Sequence, residues 1–322
     1  MSFNSSTSES ILATRTSSSL GFADLLRDEP SETSPVRMQG RLWLNFDYAA
    51  SADQTAGHTR LIVRAQQPPL QVIRAFTTTE GAALVHLHNL SGGVLGGDHL
   101  ELKVAVGPHA RAQLTSTGAT RLYRQRAGFP PAEQHTEIKV AEGGLLEYLP
   151  DPLIPFAGAC YHQKTHIDLT LGAGLFWWET IAPGREARGE SFEYERLQIQ
   201  LDLTCAGRPL ALERLRLEPA LRPLNAAARL GPYRYLTSFY ICQPGREAVQ
   251  WLRLETALLE LAQQLSQPGE VIWGVSTLPA HGLIVRGLSQ THPSIVTGLL
   301  TFWQNAKQAL YGRPAVPPRK IY

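Results

Sequence analysis

The octapeptide His99-Leu-Glu-Leu-Lys-Val-Ala-Val106 puts Leu100, Leu102, Val104 and Val106 on one side of an extended chain and His99, Glu101 and Lys103 on the other. A period of two marks a strand with one face on a core and one in water. The same alternation recurs in RLWLNFDY (41–48), HIDLTL (166–171) and RLQIQLDL (196–203). Turn signals separate these runs: Pro68-Pro69, Glu80-Gly81, Gly107-Pro108, Glu142-Gly-Gly144, Gly172-Ala-Gly174 and Pro183-Gly184. Many short strands at such spacing point to a sandwich, a barrel or a β-solenoid.

Two later segments break the period. Residues 245–265 carry Val249, Leu252, Leu259 and Leu261 among good helix formers, with Pro268-Gly269 just beyond. Residues 292–312 open on His292-Pro293-Ser294 and close on Gly312. Both read as helices by period and by their stop signals. Between them EVIWGVSTL (270–278) and GLIVRGLS (282–289) read as strands. The expected fold is mainly β, a many-stranded, sandwich-like single domain over residues 39–312 with two α-helices in its C-terminal half. Residues 1–38 read as a disordered Ser/Thr-rich tail, and 313–322 as a loose C-terminal tail.

Of the 322 residues, 43% are apolar and 18% charged, which suits a chain with a real core. A formal net charge of +2 gives no field that would select nucleic acid or an anionic membrane. No apolar run approaches the roughly 20 residues of a membrane span. Cys160, Cys205 and Cys242 are too few and too far apart for a disulfide framework or a zinc ribbon, and read as buried small apolar residues. A reducing, cytoplasmic setting fits them.

Immediately before the opening strand lies SGGVLGGDH (91–99), whose four glycines invite comparison with a phosphate loop. Such a loop needs Lys and Ser or Thr after its last glycine and a helix behind it. Here Asp98 and His99 follow, then a strand, so a carboxylate would face the phosphate. What remains is a turn that glycines allow, with Asp98 placed to cap it.

Asp98, Glu147, Asp151, Glu179 and Glu190 all sit in Gly- or Pro-rich contexts. Two of them across a cleft would suit a carbohydrate-active hydrolase, which stays open as an alternative. No GxSxG or HExxH is present. His86 and His88, and Cys160 and His162, are spaced to share a strand face, but neither pair is a complete ligand set.

Four blocks, in order, resemble the urease accessory protein family UreD, also called UreH. They are SGGVLGGDHLELKVAVGPHARAQLTSTGATRLYR (91–124), LLEYLPDPLIPFAGACYHQKTHIDL (145–169), ETIAPGREARGESFEY (179–194) and HGLIVRGLS (281–289). The likeness runs from about Arg41 to Tyr311. It departs from the family's pattern at Arg121 and Gln125, near the YR element. The resemblance implies a mainly β, partly β-helical protein with two helices that is not an enzyme but a maturation factor for urease. As implied, it docks on apo-urease, binds a helical UreF-like partner that recruits a UreG-like GTPase, and helps deliver nickel to a site where a carbamylated lysine bridges two metal ions. Nickel would be in transit through a wet internal passage, with no cofactor permanently bound. Isolated carboxylates suit such transit, because a closed Cys/His set would trap the ion. Asp98, then Glu147 and Glu179, are the expected carboxylates of that path. Arg185, Arg188 and Glu190 are alternatively an ion-pair network shaping their loop. Helices bearing Trp251, Leu252 and Leu259, and Phe302, Trp303 and Leu310, are expected to pack on the β-core, any exposed remainder serving the helical partner.

Overall fold

Two-residue alternation becomes long strands that wind between two sheets in the computed structural model, which describes residues 37–50 and 57–318. Nearly all of the expected N-terminal tail lies outside the described residues. The chain opens with β1 (Gln39–Ala49), β2 (His58–Gln67), β3 (Leu70–Gln71), β4 (Ala75–Thr77) and β5 (Ala83–Asn89). It then crosses from sheet to sheet through β6 (His99–Val106), β7 (Arg111–Ser116), β8 (Thr120–Leu122), β9 (Ala132–Val140), β10 (Leu145–Tyr148), β11 (Leu153–Pro155), β12 (Cys160–Leu169), β13 (Gly174–Ile181) and β14 (Arg196–Cys205). The last third holds β15 (Arg208–Leu217), β16 (Tyr235–Cys242), α1 (Ala248–Leu265), β17 (Val271–Thr277), β18 (Gly282–Ser289) and α2 (His292–Tyr311).

The first sheet has seven strands in the order β15-β14-β12-β9-β6-β1-β2. Its inner pairs, from β14 to β1, are parallel, and both edge pairs are antiparallel. The second sheet follows the order β17-β18-β16-β13-β10-β7-β5-β3, parallel from β13 to β5. Successive strands that alternate between two parallel stretches make the centre a β-helix, while antiparallel strands close its ends. The expected mainly β domain with two late helices is what the chain forms.

Each sheet has its own chemistry. β6 alternates buried and part-exposed residues, so the first sheet shows its outer face to water. β13, GLFWWETI, is almost continuously buried, because the second sheet is covered on both faces. One apolar cluster, with Leu42, Val104, Leu114, Ile167 and Trp177, lies between the sheets. Another between-sheet cluster, with Leu100, Leu122, Tyr161, Ile181 and Leu197, lies nearer the strand starts of the first sheet. The third joins the far face of the second sheet to both helices through Phe176, Trp251, Leu258, Phe302 and Trp303. Burying side chains of this size contributes about 1.5–3 kcal/mol each.

The helices bury one stripe apiece. Trp251, Leu254, Leu258 and Ala262 of α1 face the core, whereas Val249, Leu252 and Leu259 stay exposed. In α2 Phe302, Trp303 and Leu310 are all buried, and Gly312 stops the helix with φ 62°. Trp273 fills the space between β18 and α2 so closely that a Cβ at Gly287 or Gly298 would overlap its ring. After α2, residues 313–318 have no regular structure, yet the Val316 carbonyl accepts a hydrogen bond from Gln113 Nε2 at 3.1 Å.

Candidate functional site: a polar layer inside the sandwich

The two between-sheet clusters are separated by a layer of polar side chains in the inward phase of their strands. On β12 the inward residues run Tyr161, Gln163, Thr165, Ile167, with Gln163 and Thr165 buried between apolar neighbours. On β9 Gln134 and Thr136 stand directly beside Gln163 and Thr165 in register. From the second sheet β13 contributes Glu179, paired with Ser238 of β16. At the edge of the first sheet β15 contributes Glu213, paired with Leu201.

Hydrogen bonds tie the layer together. The Tyr161 hydroxyl lies 3.2 Å from Gln134 Oε1 and 3.1 Å from Gln163 Oε1. Gln163 Nε2 donates to Glu179 Oε1. Glu213 accepts from the Tyr240 hydroxyl, from Ser238 Oγ at 3.4 Å and from Arg286 Nη2 at 3.4 Å. Between Glu179 and Glu213 lies a cavity of about 20 Å³, lined otherwise by Ser238 and apolar side chains. That volume is enough for one water. At the other end Gln134 and Tyr148 border a larger cavity of about 290 Å³ that reaches Gly92 and Gly93 of the glycine run. Thr165 Oγ1 and Trp177 Nε1 are buried with no protein partner. Buried polar atoms left dry cost about 1–3 kcal/mol each, so the interior suits water.

Glu179 keeps some accessible surface because it borders the small cavity, but protein surrounds it. Loss of solvation pushes its pKa up to about 7, against the Gln163 hydrogen bond that favours the ionised form and with the nearby Glu213 adding to the rise. A carboxyl poised there exchanges a proton for a cation with little cost near neutrality.

The three carboxylates expected from sequence do not share one site. Asp98 is buried in a turn: its Oδ2 accepts the Leu95 backbone N–H at 2.9 Å, and burial raises its pKa. Leu100 follows it in the inward phase of β6, beside Gln134 in register. Gly92 and Gly97 of that turn have φ of 72° and 90°, so the glycines are needed for the backbone path. Glu147 points to the opposite face of the second sheet from Glu179. There Lys307 Nζ lies 3.1 Å from its Oε1 and Trp303 Nε1 donates to the same oxygen at 2.9 Å. Burial pushes the Glu147 pKa up, opposed by the Lys307 ammonium.

The GREARGE loop forms a network, though not the expected trio. Arg185 pairs with Glu190 through two hydrogen bonds, and Glu190 Oε2 also accepts the Ala157 N–H at 3.2 Å. Arg188 is exposed, and the second pair is Arg234 with Glu186 at 2.8 Å. All three cysteines are free and buried. No helix among the described residues is long and apolar enough to cross a membrane.

Gln134, Tyr161, Gln163, Glu213 and Ser238 were not singled out from sequence. Their signal is a polar residue in the apolar phase of an alternating strand. Counting back from Ile167 and Leu169 by twos gives Thr165, Gln163 and Tyr161.

The family model described as UreD urease accessory protein matches residues 38–321. A urease accessory protein UreD of Herpetosiphon aurantiacus is 46% identical over 89% of this chain and 97% of its own length. One from Pseudomonas aeruginosa PAO1 is 34% identical over 86% of this chain and 92% of its own. Urease accessory protein UreD 2 of Pseudomonas syringae pv. tomato is 36% identical over 71% and 76%. The chain belongs to the UreD urease accessory protein family. Proteins of this family assist urease and are not enzymes, so the carbohydrate-hydrolase alternative falls away.

Proposed function

We propose that this protein serves nickel insertion into urease as both scaffold and conduit. It docks on apo-urease at one end, receives a UreF-like partner and its UreG-like GTPase at the other, and lets Ni²⁺ cross its interior without holding it. Its setting is the cytoplasm. The observation that carries this reading is the polar layer from Gln134 through Gln163 and Glu179 to Glu213, with one cavity beside Gln134 and another between Glu179 and Glu213. Amide, hydroxyl and carboxylate oxygens are acceptable to Ni²⁺. A file of single carboxylates lets the ion exchange ligands, where three or four ligands on one point would retain it.

Within this reading Glu179 and Glu213 are the transit carboxylates, and Asp98 stands beyond the larger cavity's glycine wall. Glu147 is committed to Lys307 and Trp303 and serves to fix α2. Co-expression of urease with the UreF-like and UreG-like proteins, with and without this chain, tests the proposal. Active, nickel-loaded urease is expected only with the chain present. Glu179→Ala is expected to cut nickel content severalfold while urease still co-purifies with the chain. Full activation without the chain would end the proposal.

A further inference from the structure

The outer face of the first sheet carries a second set of potential ligands. His99 begins β6, and its register partner on β9 is Glu133. Two residues on, His135 projects from the same face of β9. His99 Nδ1 lies 3.4 Å from Glu133 Oε2, and His135 Nε2 lies 4.0 Å from the same oxygen. The two imidazoles meet edge to face with centroids 5.0 Å apart. One ligand atom from each residue falls within 4.8 Å of the others. No ion is needed to assemble the three. Cis ligands of an octahedral ion with bonds near 2.1 Å are separated by about 3 Å. Closing the remaining gap takes only side-chain rotation in groups that are each 43–46% exposed.

We propose that His99, Glu133 and His135 form a reversible surface site for a divalent transition-metal ion. Two imidazoles and a carboxylate on one facet leave the outward positions to water, and this donor set favours Ni²⁺, Zn²⁺ and Cu²⁺ over Mg²⁺ or Ca²⁺. His162 is the β12 register partner of Glu133, but its ring nitrogens do not join the three within 4.8 Å. Affinity is held down by Lys164, the register partner of His135. The neighbouring Glu101 adds little, being held by Arg41 and Lys103 at 3.0 Å each. The strand that supplies Glu133 and His135 outward supplies Gln134 inward, so the surface site and the polar layer lie on opposite faces of one three-residue stretch. Use of the site for nickel on its way to that interior rests on the maturation reading. The site itself does not.

Titration of the tag-free full chain with NiCl₂, by calorimetry and by paramagnetic broadening of histidine ring signals, tests it. The expected result is one ion per chain at micromolar affinity, with His99 and His135 signals broadened first. In His99→Ala/His135→Ala binding should weaken at least about tenfold, with the far-ultraviolet spectrum unchanged, while His281→Ala should bind as the parent does. Equal binding by the double variant, or no uptake by the parent below millimolar Ni²⁺, would overturn the proposal. Because the measurement uses the isolated chain and no urease, it fails or succeeds independently of the co-expression assay.

Discussion

Lys307 of α2 and Glu147 of β10 meet at 3.1 Å with side chains only 6% and 5% exposed. Burying both charges is expensive, and the pair offsets that cost only while both partners are present. Lys307→Ala is therefore expected to lower stability by about 3–5 kcal/mol, read from urea denaturation at neutral pH. Glu147→Gln/Lys307→Met keeps an acceptor for Trp303 Nε1 and removes both charges. It should recover most of the loss. A double variant no better than Lys307→Ala would show that the loss does not come from leaving the Glu147 charge unpaired.

Glu179 gives the fold a pH dependence of definite sign. Its carboxyl is protonated more readily in the folded chain, at about pH 7, than in the unfolded one near 4.5. The folded state thus binds the extra proton between those values, and stability falls as pH rises from about 4.5 to about 7. The contribution is up to about 3 kcal/mol. Glu179→Gln should flatten this part of the profile and raise the melting temperature at pH 8 more than at pH 5. Identical shifts at both pH values would show that the carboxyl ionises freely in the fold.

Gly298 is expected to tolerate no side chain. Its added Cβ would enter the Trp273 ring, which Gly287 confines from the other side. Gly298→Ala gains helix propensity of about 1 kcal/mol but must displace a tryptophan in a packed core, at roughly 1–3 kcal/mol. Net destabilisation by thermal melting is the expected outcome. Trp273→Leu should relieve it.

Asp98 separates turn capping from any role in transit. Asp98→Asn retains an oxygen for the Leu95 N–H, whereas Asp98→Ala leaves that donor unpaired at about 1–3 kcal/mol. The Asn variant should therefore unfold close to the parent, and the Ala variant earlier in urea. In the co-expression assay, normal urease nickel content with the Asn variant would confine Asp98 to the turn.

Much of the architecture could be read before the structure. Strict alternation in β1, β6, β12 and β14 announced strands with one wet face, and the Pro and Gly stops placed both helices within three residues. The second sheet was less legible, because β13 is covered on both faces and LFWW therefore shows no period. Strand order was hidden too: parallel neighbours such as β9 and β12 are joined through the opposite sheet, which no local pattern records. As for the polar layer, Glu179 stood out as an acid near turn residues, but Gln163 and Glu213 are ordinary polar residues until their strands' inward phase is known. Glu147 drew notice for the same reason as Glu179, and only the face it occupies distinguishes them.

The contact between Glu147 and Lys307 also bears on how the chain is born. Its partners are 160 residues apart, and the face of the second sheet that holds Phe176, Trp178 and Phe239 is sealed by a helix synthesised after every strand. Pairing so distant is slow to form. A chain still being made would leave that aromatic face uncovered until α2 exists to close it.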